Sequence, residues 1–277
     1  MQKCKKILFE CIGGTFVKKS MSLFAALLIT TGALGTVYAE SSNSNLVQNL
    51  TLTTTEQVEQ LKKEGITDEQ IQYLDKLKEK DQDFIKNELD NKIKKDEKKV
   101  QEILNQRENR ADIEDQEDGN NQGLAANNAW GEAGDILVSY EIDSGSAAIG
   151  AGHAAIVSTN HKKTIESYAE SFSPVSMDGV VYLKNEWKKN SNSFLGIVES
   201  SDKKRKAAAK YAFNQLGKPY NWNFFNKTAT SKFYCSQLVW RSWQEQNVEI
   251  DGQPDDTVVT PIELLKSDNV LISKNRN

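Results

Sequence analysis

The stretch from residue 54 to residue 106 places apolar residues at helical spacing in an otherwise charged sequence. Thr54 with Gln57, and Thr67 with Gln70, have the Thr-x-x-Gln spacing of a capping box, in which side chains satisfy the free N–H groups of a first helical turn. Gly65 separates the two. The apolar positions are Val58, Leu61, Ile71, Leu74, Leu77, Phe84, Ile85, Leu89, Ile93, Val100 and Leu104. Because these stripes are narrow, the pattern predicts charged amphipathic helices that form a small hairpin or bundle.

From residue 129 onward, short apolar segments bounded by Gly, Ser and Asn replace the helical spacing. They predict strands at 136–140, 153–158, 164–168, 180–183, 196–199 and 270–272. Helices are predicted after Ser201, ending at Gly217, from Cys235 onward, and after Pro261. A run of strands flanked by separate helices predicts an α+β domain with an antiparallel sheet, preceded by the helical N-terminal region.

Composition divides the chain into four segments. Residues 1–39 combine a basic start, an apolar middle and a small-residue site ending at Ala39, which predict a cleaved signal peptide. Residues 40–106 are the charged helical region, residues 107–128 are an acidic and polar linker, and residues 129–277 are one globular domain. The helical region is expected to be a pro-segment that covers an active site, an arm that binds a partner, or a solvated stalk.

Loss of the predicted signal peptide changes the charge and the number of thiols. The whole chain has 35 basic and 39 acidic residues, and 30 basic and 38 acidic residues remain without residues 1–39, so the net charge moves from −4 to −8. An acidic protein has no electrostatic reason to bind nucleic acid or anionic membranes. Cleavage also removes Cys4 and Cys11. We therefore expect a secreted or cell-wall-associated protein with no membrane span, no internal disulfide and a single thiol, Cys235.

Cys235 lies where an aromatic, strand-like run gives way to helical spacing. A thiol at a helix N-terminus faces unpaired N–H groups and the positive end of the helix dipole, which favour the reactive thiolate. The alternative is a buried structural cysteine. A nucleophilic cysteine needs a histidine base. His153 follows a glycine-rich loop (residues 143–152), and we expect its ring to face an open cleft there. His161 lies in a turn beside two lysines and is expected to be exposed.

Strand geometry predicts a carboxylate partner for the base. If residues 153–158 and 161–168 pair as a hairpin with a two-residue loop, Glu166 lies directly opposite His153, about 5 Å away. The alternative for Glu166 is a solvated face of an edge strand. The aromatic residues Tyr220, Trp222 and Tyr234 are expected to line a substrate groove, or else to belong to the core.

Metal and cofactor motifs are not found in the sequence. The histidines and cysteines have neither His-x-x-x-His nor Cys-x-x-Cys spacing, and no glycine motif for phosphate binding occurs. We therefore predict chemistry without a metal ion and without a cofactor.

Four short motifs occur in a characteristic order: Gly134-Asp135-Ile136-Leu137, Gly152-His153-Ala154-Ala155-Ile156-Val157, Gly217-Lys218-Pro219-Tyr220 and Tyr234-Cys235-Ser236. Over about residues 130 to 272 the chain resembles the YiiX/YebB-like permuted branch of the NlpC-type papain-like cysteine hydrolases. The histidine precedes the cysteine, which is the order of the circularly permuted branch. The resemblance implies a papain-like fold with Cys235 as nucleophile, His153 as base and Glu166 as the third polar residue.

The family includes peptidoglycan endopeptidases and amidases, together with distant relatives that act on lipid acyl groups, so the fold does not select the substrate. With the export signal, the resemblance implies a cysteine hydrolase that cleaves amide bonds in cell-wall peptides through a thioester. Two alternatives remain open. One is a lipid acyltransferase or thioesterase on the same scaffold, and the other is a non-catalytic binding or structural protein that acts through its helical region.

Overall fold

The computed structural model describes residues 55–117, 129–145, 150, 152–190 and 192–275. The predicted signal peptide and residues 118–128 of the predicted linker lie outside the described residues. No helix in the described part of the chain is both long enough and apolar enough to cross a membrane.

The N-terminal region consists of three helices, α1 (Thr55–Lys63), α2 (Asp68–Asn87) and α3 (Leu89–Glu117). The capping box predicted at the start of α2 is present: the Thr67 hydroxyl accepts from the Gln70 N–H at 3.3 Å, and the Gln70 side chain accepts from the Thr67 N–H at 2.9 Å. The apolar stripe residues Leu61, Leu74, Leu77, Phe84, Leu89 and Val100 are all buried.

The segment 107–117 was predicted as the start of the linker, but it is the last part of α3. No glycine or proline interrupts the sequence between Gly65 and Gly119, so nothing in it ends the helix earlier. In addition, the buried Arg107 side chain makes two hydrogen bonds to Asp135, at 2.6 and 3.0 Å, which anchor this part of α3 to the globular domain.

The globular domain contains one six-stranded sheet in which every pair of neighbouring strands is antiparallel. The strands are β1 (Ile136–Ser139), β2 (His153–Val157), β3 (Lys163–Tyr168), β4 (Gly179–Lys184), β5 (Ser193–Val198) and β6 (Val270–Lys274), in the order β4-β3-β2-β1-β5-β6. The helices are α4 (Asp202–Phe213), α5 (Cys235–Gln244) and α6 (Pro261–Lys266). The predicted α+β class with an antiparallel sheet is confirmed.

Both faces of the sheet are covered by helices. On one face, α5 packs across β2 and β3, and its Leu238, Val239 and Trp243 join a core that also includes side chains of α1 and α2. On the other face, Val100 of α3 packs with Leu137 and other strand residues. Since successive side chains of a strand point to opposite faces, this arrangement explains why β1, β2 and β5 are buried along their whole length.

The hairpin of β2 and β3 has a different register from the predicted one. Glu166 pairs with Ala155, and Thr164 pairs with Val157, so the two-residue loop and the direct pairing of Glu166 with His153 were wrong. The loop is longer because Lys163 donates its N–H to Asn160, closing a turn before β3 begins. The displacement is two residues, an even number, so Glu166 keeps the face predicted for it.

Candidate active site

Cys235 is the first residue of α5 and is completely buried. The chain enters this helix through a short bridge between Tyr220 and Phe233. The Ser167 hydroxyl of β3 donates to the Phe233 carbonyl at 2.6 Å, which ties the residues before Cys235 to the sheet. The thiol therefore lies at a helix N-terminus, where the first N–H groups have no partner within the helix.

Gln237 fixes the start of α5 and was not predicted from the sequence. Its buried side-chain oxygen accepts from the Tyr234 N–H at 3.1 Å and from the Asn221 side chain at 3.0 Å. Its amide group donates to the carbonyls of Asn226, Lys227 and Ala229. Gln237 thus joins the first turn of α5 to the aromatic loop at residues 220–229.

His153 is the first residue of β2 and is also completely buried. Its Nε2 atom lies 2.8 Å from Oε2 of Glu166. Its ring lies between those of Tyr168, with centroids 4.3 Å apart, and Trp187, with centroids 5.8 Å apart and planes inclined by 17°. Since Glu166 occupies Nε2, Nδ1 is the ring nitrogen left for Cys235.

Opposing effects act on the pKa of His153. Burial lowers this pKa, but the hydrogen bonds and charges of Cys235 and Glu166 outweigh burial and raise the pKa from 6.5 to about 9. The imidazole therefore binds a proton strongly at neutral pH. Cys235 and Glu166 are the two side chains whose hydrogen bonds and charges raise this pKa.

Glu166 is buried on the same face, with only 2 % of its surface exposed. Its oxygens accept hydrogen bonds from the Thr164 hydroxyl, from Trp187 Nε1 at 3.2 Å and from the Tyr168 hydroxyl at 2.9 Å. Burial raises the pKa of this carboxyl, but the hydrogen bonds and the charge of His153 outweigh burial and lower the pKa overall. Glu166 is therefore held as a carboxylate inside the protein.

Three of the side chains that hold His153 and Glu166 were not predicted. Thr164 and Tyr168 are two residues before and after Glu166 on β3, so the alternation of strand side chains could have identified them. Trp187 comes from a separate 3-10 turn, Trp187–Lys189, and no local sequence pattern connects it with the hairpin.

The structure brings Cys235, His153 and Glu166 together, and the aromatic residues predicted for a groove lie near them with different exposure. His161 is exposed in the turn before β3, as expected. Tyr220 is buried beside Cys235, and burial followed by the charge of Cys235 raises the pKa of its hydroxyl. Trp222 is half-buried and packs edge-on against Tyr220, with ring centroids 5.0 Å apart.

Tyr234 lies in the core and not in a groove, which is the second of the two positions predicted for it. Its side chain is completely buried. The hydroxyl accepts from the Val259 N–H at 3.2 Å and donates to the Phe224 carbonyl at 3.4 Å. Through these two hydrogen bonds, the Tyr234 side chain joins the loop that contains Phe224 to the segment that contains Val259.

Comparison with known proteins identifies the domain but not its substrate. Residues 132–257 match the family model described as permuted papain-like amidase enzyme, YaeF/YiiX, C92 family. A crystal structure described as metalloprotein yiiX from Escherichia coli O157:H7 is 17% identical to this chain, with a TM-score of 0.39 and coverage of 52% of this chain and 98% of that one. No curated protein matches this chain.

In the part of the chain that the structure describes, no group of three or more His, Cys, Asp or Glu side chains is arranged to hold a metal ion. By the family model, residues 132–257 are similar to the permuted papain-like amidases of the YaeF/YiiX, C92 family.

Proposed function

We propose that this protein is an exported cysteine amidase in which Cys235 is the nucleophile, His153 the base and Glu166 the residue that orients the imidazole. The observation that carries the proposal is the buried series Cys235, His153 and Glu166, with 2.8 Å between His153 Nε2 and Glu166 Oε2. In such a series the imidazole stabilises the thiolate and the carboxylate fixes the ring.

The first half of the reaction forms a thioester. The Cys235 proton passes to Nδ1 of His153, and the thiolate attacks the amide carbonyl carbon. The N–H groups at the start of α5 stabilise the oxyanion of the tetrahedral intermediate. The His153 imidazolium then gives its proton to the leaving nitrogen as the C–N bond breaks, which releases an amine and leaves the acyl group on sulfur.

The second half returns the enzyme to its starting state. Neutral His153 takes a proton from water, and the resulting hydroxide attacks the thioester carbonyl. The C–S bond breaks, a carboxylic acid leaves, and the Cys235 thiolate again pairs with the His153 imidazolium. Glu166 stays ionised throughout and stabilises each imidazolium that forms, because it is held by three donors besides His153.

Cell-wall peptide is the proposed substrate, and the protein is proposed to be secreted or associated with the cell wall. Two observations support this: the predicted signal peptide at residues 1–39 and the amidase family of the domain. An amide bond in a stem peptide or in a crosslink between peptides would supply the carbonyl and the leaving amine that the proposed steps require.

The test compares wild-type protein with Cys235→Ala on purified cell wall. Mass spectrometry of the released fragments detects new amine and carboxyl ends. We expect Cys235→Ala to reduce their release by at least about 1,000-fold, because alanine lacks the sulfur on which the acyl intermediate forms. The thermal unfolding midpoint should stay nearly unchanged, since the substitution removes one small atom from the core.

Three results would contradict the proposal in different ways. Equal release by the variant would show that Cys235 is not the nucleophile. Release of fatty acid from ester substrates, without new amine ends on cell wall, would support the lipid acyltransferase or thioesterase instead. An unfolded Cys235→Ala protein would support a structural cysteine.

A further inference from the structure

The side chains of the proposed active site have almost no contact with solvent. Cys235 and His153 are 0 % exposed, and Glu166 is 2 % exposed. A peptide carbonyl must come within bonding distance of the Cys235 sulfur for a thioester to form. Some part of the chain must therefore move before a substrate is cleaved.

Helix α2 lies against Gly150, in the glycine-rich segment that leads to His153. A side-chain atom added at Gly150 would lie 2.8 Å from Oδ2 of Asp81 on α2 and 2.9 Å from Thr260, so the backbone at Gly150 is in close contact with both. Near the other end of this segment, Asp143 lies close to the buried Lys78 of α2. Burial lowers the pKa of Lys78, and the negative charge of Asp143 is among the causes that raise it.

The same loop contacts the aromatic residues beside the thiol. A side-chain atom added at Gly145 would lie 2.9 Å from Ala169, 3.3 Å from Trp222 and 3.4 Å from Tyr220. After burial, the charges of Cys235 and Asp143 are the largest causes that raise the pKa of Tyr220, so Tyr220 lies near both. The described ends of the loop are thus held between α2 and the residues that surround the Cys235 sulfur.

Helix α2 also contacts the aromatic loop directly. The rings of Tyr73 and Phe225 have centroids 6.0 Å apart. The Tyr73 hydroxyl donates to Asp256 at 3.4 Å. Phe225 follows Phe224, whose ring packs edge-on against that of Tyr234, the residue before the thiol, at 5.2 Å.

Ion pairs and apolar packing keep the two helices in this position. Asp81 of α2 pairs with Lys266 of α6 at 2.7 Å. Glu64, directly after α1, pairs at 3.0 Å with Lys232, which is three residues before Cys235. Leu61 and Leu74 are completely buried in the same core as α5. These contacts exclude the solvated stalk as a description of α1 and α2.

We propose that helices α1 and α2, residues 55–87, are an intramolecular cover of the active site. The cover packs against Asp143 and Gly150, on either side of Gly145, which contacts Tyr220 and Trp222, and it keeps substrate from Cys235 until it is displaced. The inference rests on the proposed function in one respect, that Cys235 is the nucleophile. It adds a regulatory role for the helical region that the amidase chemistry does not require.

The test measures access to the Cys235 thiol in the full chain. Iodoacetamide is added at pH 7, and mass spectrometry follows alkylation of the peptide that contains Cys235. Lys78→Glu places a negative charge beside Asp75 and Asp143, so it should loosen the cover and accelerate alkylation by at least 10-fold. Lys99→Glu, on α3 beside Glu199, is the matched control and should alkylate at the wild-type rate.

A second variant covers the case in which Lys78→Glu does not fold. Glu64→Lys replaces the ion pair with Lys232 by two positive charges that repel each other. Both side chains are half-buried, so the variant adds no fully buried charge. Circular dichroism confirms that each variant is folded. Alkylation within twofold of the wild-type rate in every folded cover variant overturns the proposal. Alkylation of the wild-type protein as fast as free glutathione also overturns it.

Hydrolysis of purified cell wall by the same variants separates this inference from the proposed function. Faster alkylation without any hydrolysis supports the cover and contradicts the amidase. Hydrolysis at one rate in wild type, Lys78→Glu and Glu64→Lys, with unchanged alkylation, supports the amidase and overturns the cover. Faster alkylation together with faster hydrolysis supports both.

Discussion

At the scale of single residues, His153 and Glu166 are two buried groups that the protein keeps charged. Burial acts against the charged form of each, yet the pKa of His153 is raised to about 9 and the pKa of Glu166 is lowered. Cys235 and Glu166 raise the pKa of His153, and His153 lowers that of Glu166, while Thr164, Tyr168 and Trp187 supply hydrogen bonds to the carboxylate. This is the arrangement expected for a histidine that must carry a proton between two reaction steps.

The raised pKa of His153 predicts the alkaline limit of activity. Hydrolysis should fall as pH rises through about 9, because neutral imidazole cannot protonate the leaving amine. In Glu166→Gln one of the two side chains that raise the pKa of His153 is changed, so the fall should begin at lower pH and kcat should drop. A pH profile of cell-wall hydrolysis measures both, and the control is Glu186→Gln, whose carboxylate pairs with Lys184 and Lys189. An unchanged alkaline limit in Glu166→Gln would contradict the assignment.

The same pKa predicts how stability changes with pH. A group whose pKa is raised by folding stabilises the folded state fully below its ordinary pKa, here 6.5, and this contribution is lost as pH rises to about 9. Urea unfolding midpoints of wild type should therefore decrease over this interval. In His153→Gln, which cannot titrate, this part of the decrease should be absent, and an identical decrease in both proteins would show that His153 is not its source.

At the scale of the elements, the turn into β2 determines where His153 lies. Gly152 has φ of 91°, a left-handed conformation that glycine adopts easily, and a side-chain atom added there would lie 1.8 Å from the Ser139 carbonyl oxygen of β1. Ser139 is also the residue that pairs with His153. The close approach of the two backbones therefore needs glycine immediately before the histidine.

Gly152→Ala should lower both stability and activity. We expect a loss of at least about 2 kcal/mol in the free energy of unfolding, because β1 must move away from the new methyl group. Gly217→Ala is a matched control, since Gly217 has φ of 80° but no atom within 4 Å of an added side-chain atom. Its cost should be about 1 kcal/mol, from the backbone conformation alone. Equal costs in urea unfolding would show that the contact with Ser139 is unimportant.

At the scale of the whole domain, α3 is attached to the sheet through charges as well as apolar contacts. Asp96 accepts from the Ile272 N–H of β6 at 3.0 Å. Farther along α3, Arg107 is paired with Asp135, which is 0 % exposed and lies directly before β1. Helical residues thus satisfy polar groups that the domain would otherwise bury without a partner.

Arg107→Ala should destabilise the protein strongly. The substitution leaves the carboxylate of Asp135 buried without its cation, which typically costs about 3–5 kcal/mol in the free energy of unfolding. Lys62→Ala removes an ion pair with Asp68 in which both side chains are exposed, and it should leave the urea midpoint unchanged. A shift in Arg107→Ala no larger than that of Lys62→Ala would show that the helix does not stabilise the domain.

Much of the fold could be predicted from the sequence because the relevant patterns are local. Period-two and helical spacings identified all six strands and the main helices, with ends that differ by a few residues. The same alternation explains why Glu166 was placed on the face of His153 even though the hairpin register was wrong by two residues. The sequence alone thus determined the class of the domain and the three residues proposed for its chemistry.

Other features depended on contacts between distant segments, and only the tertiary structure decided them. Trp187 lies on a separate turn and donates a hydrogen bond to Glu166, and the Tyr234 hydroxyl accepts one from the Val259 N–H. No local sequence pattern indicates either contact. An amphipathic stripe shows that a helix has an apolar face but not which surface covers it. For this reason the sequence left three roles open for the helical region, and its packing against the domain became apparent only from ion pairs such as Asp81 with Lys266.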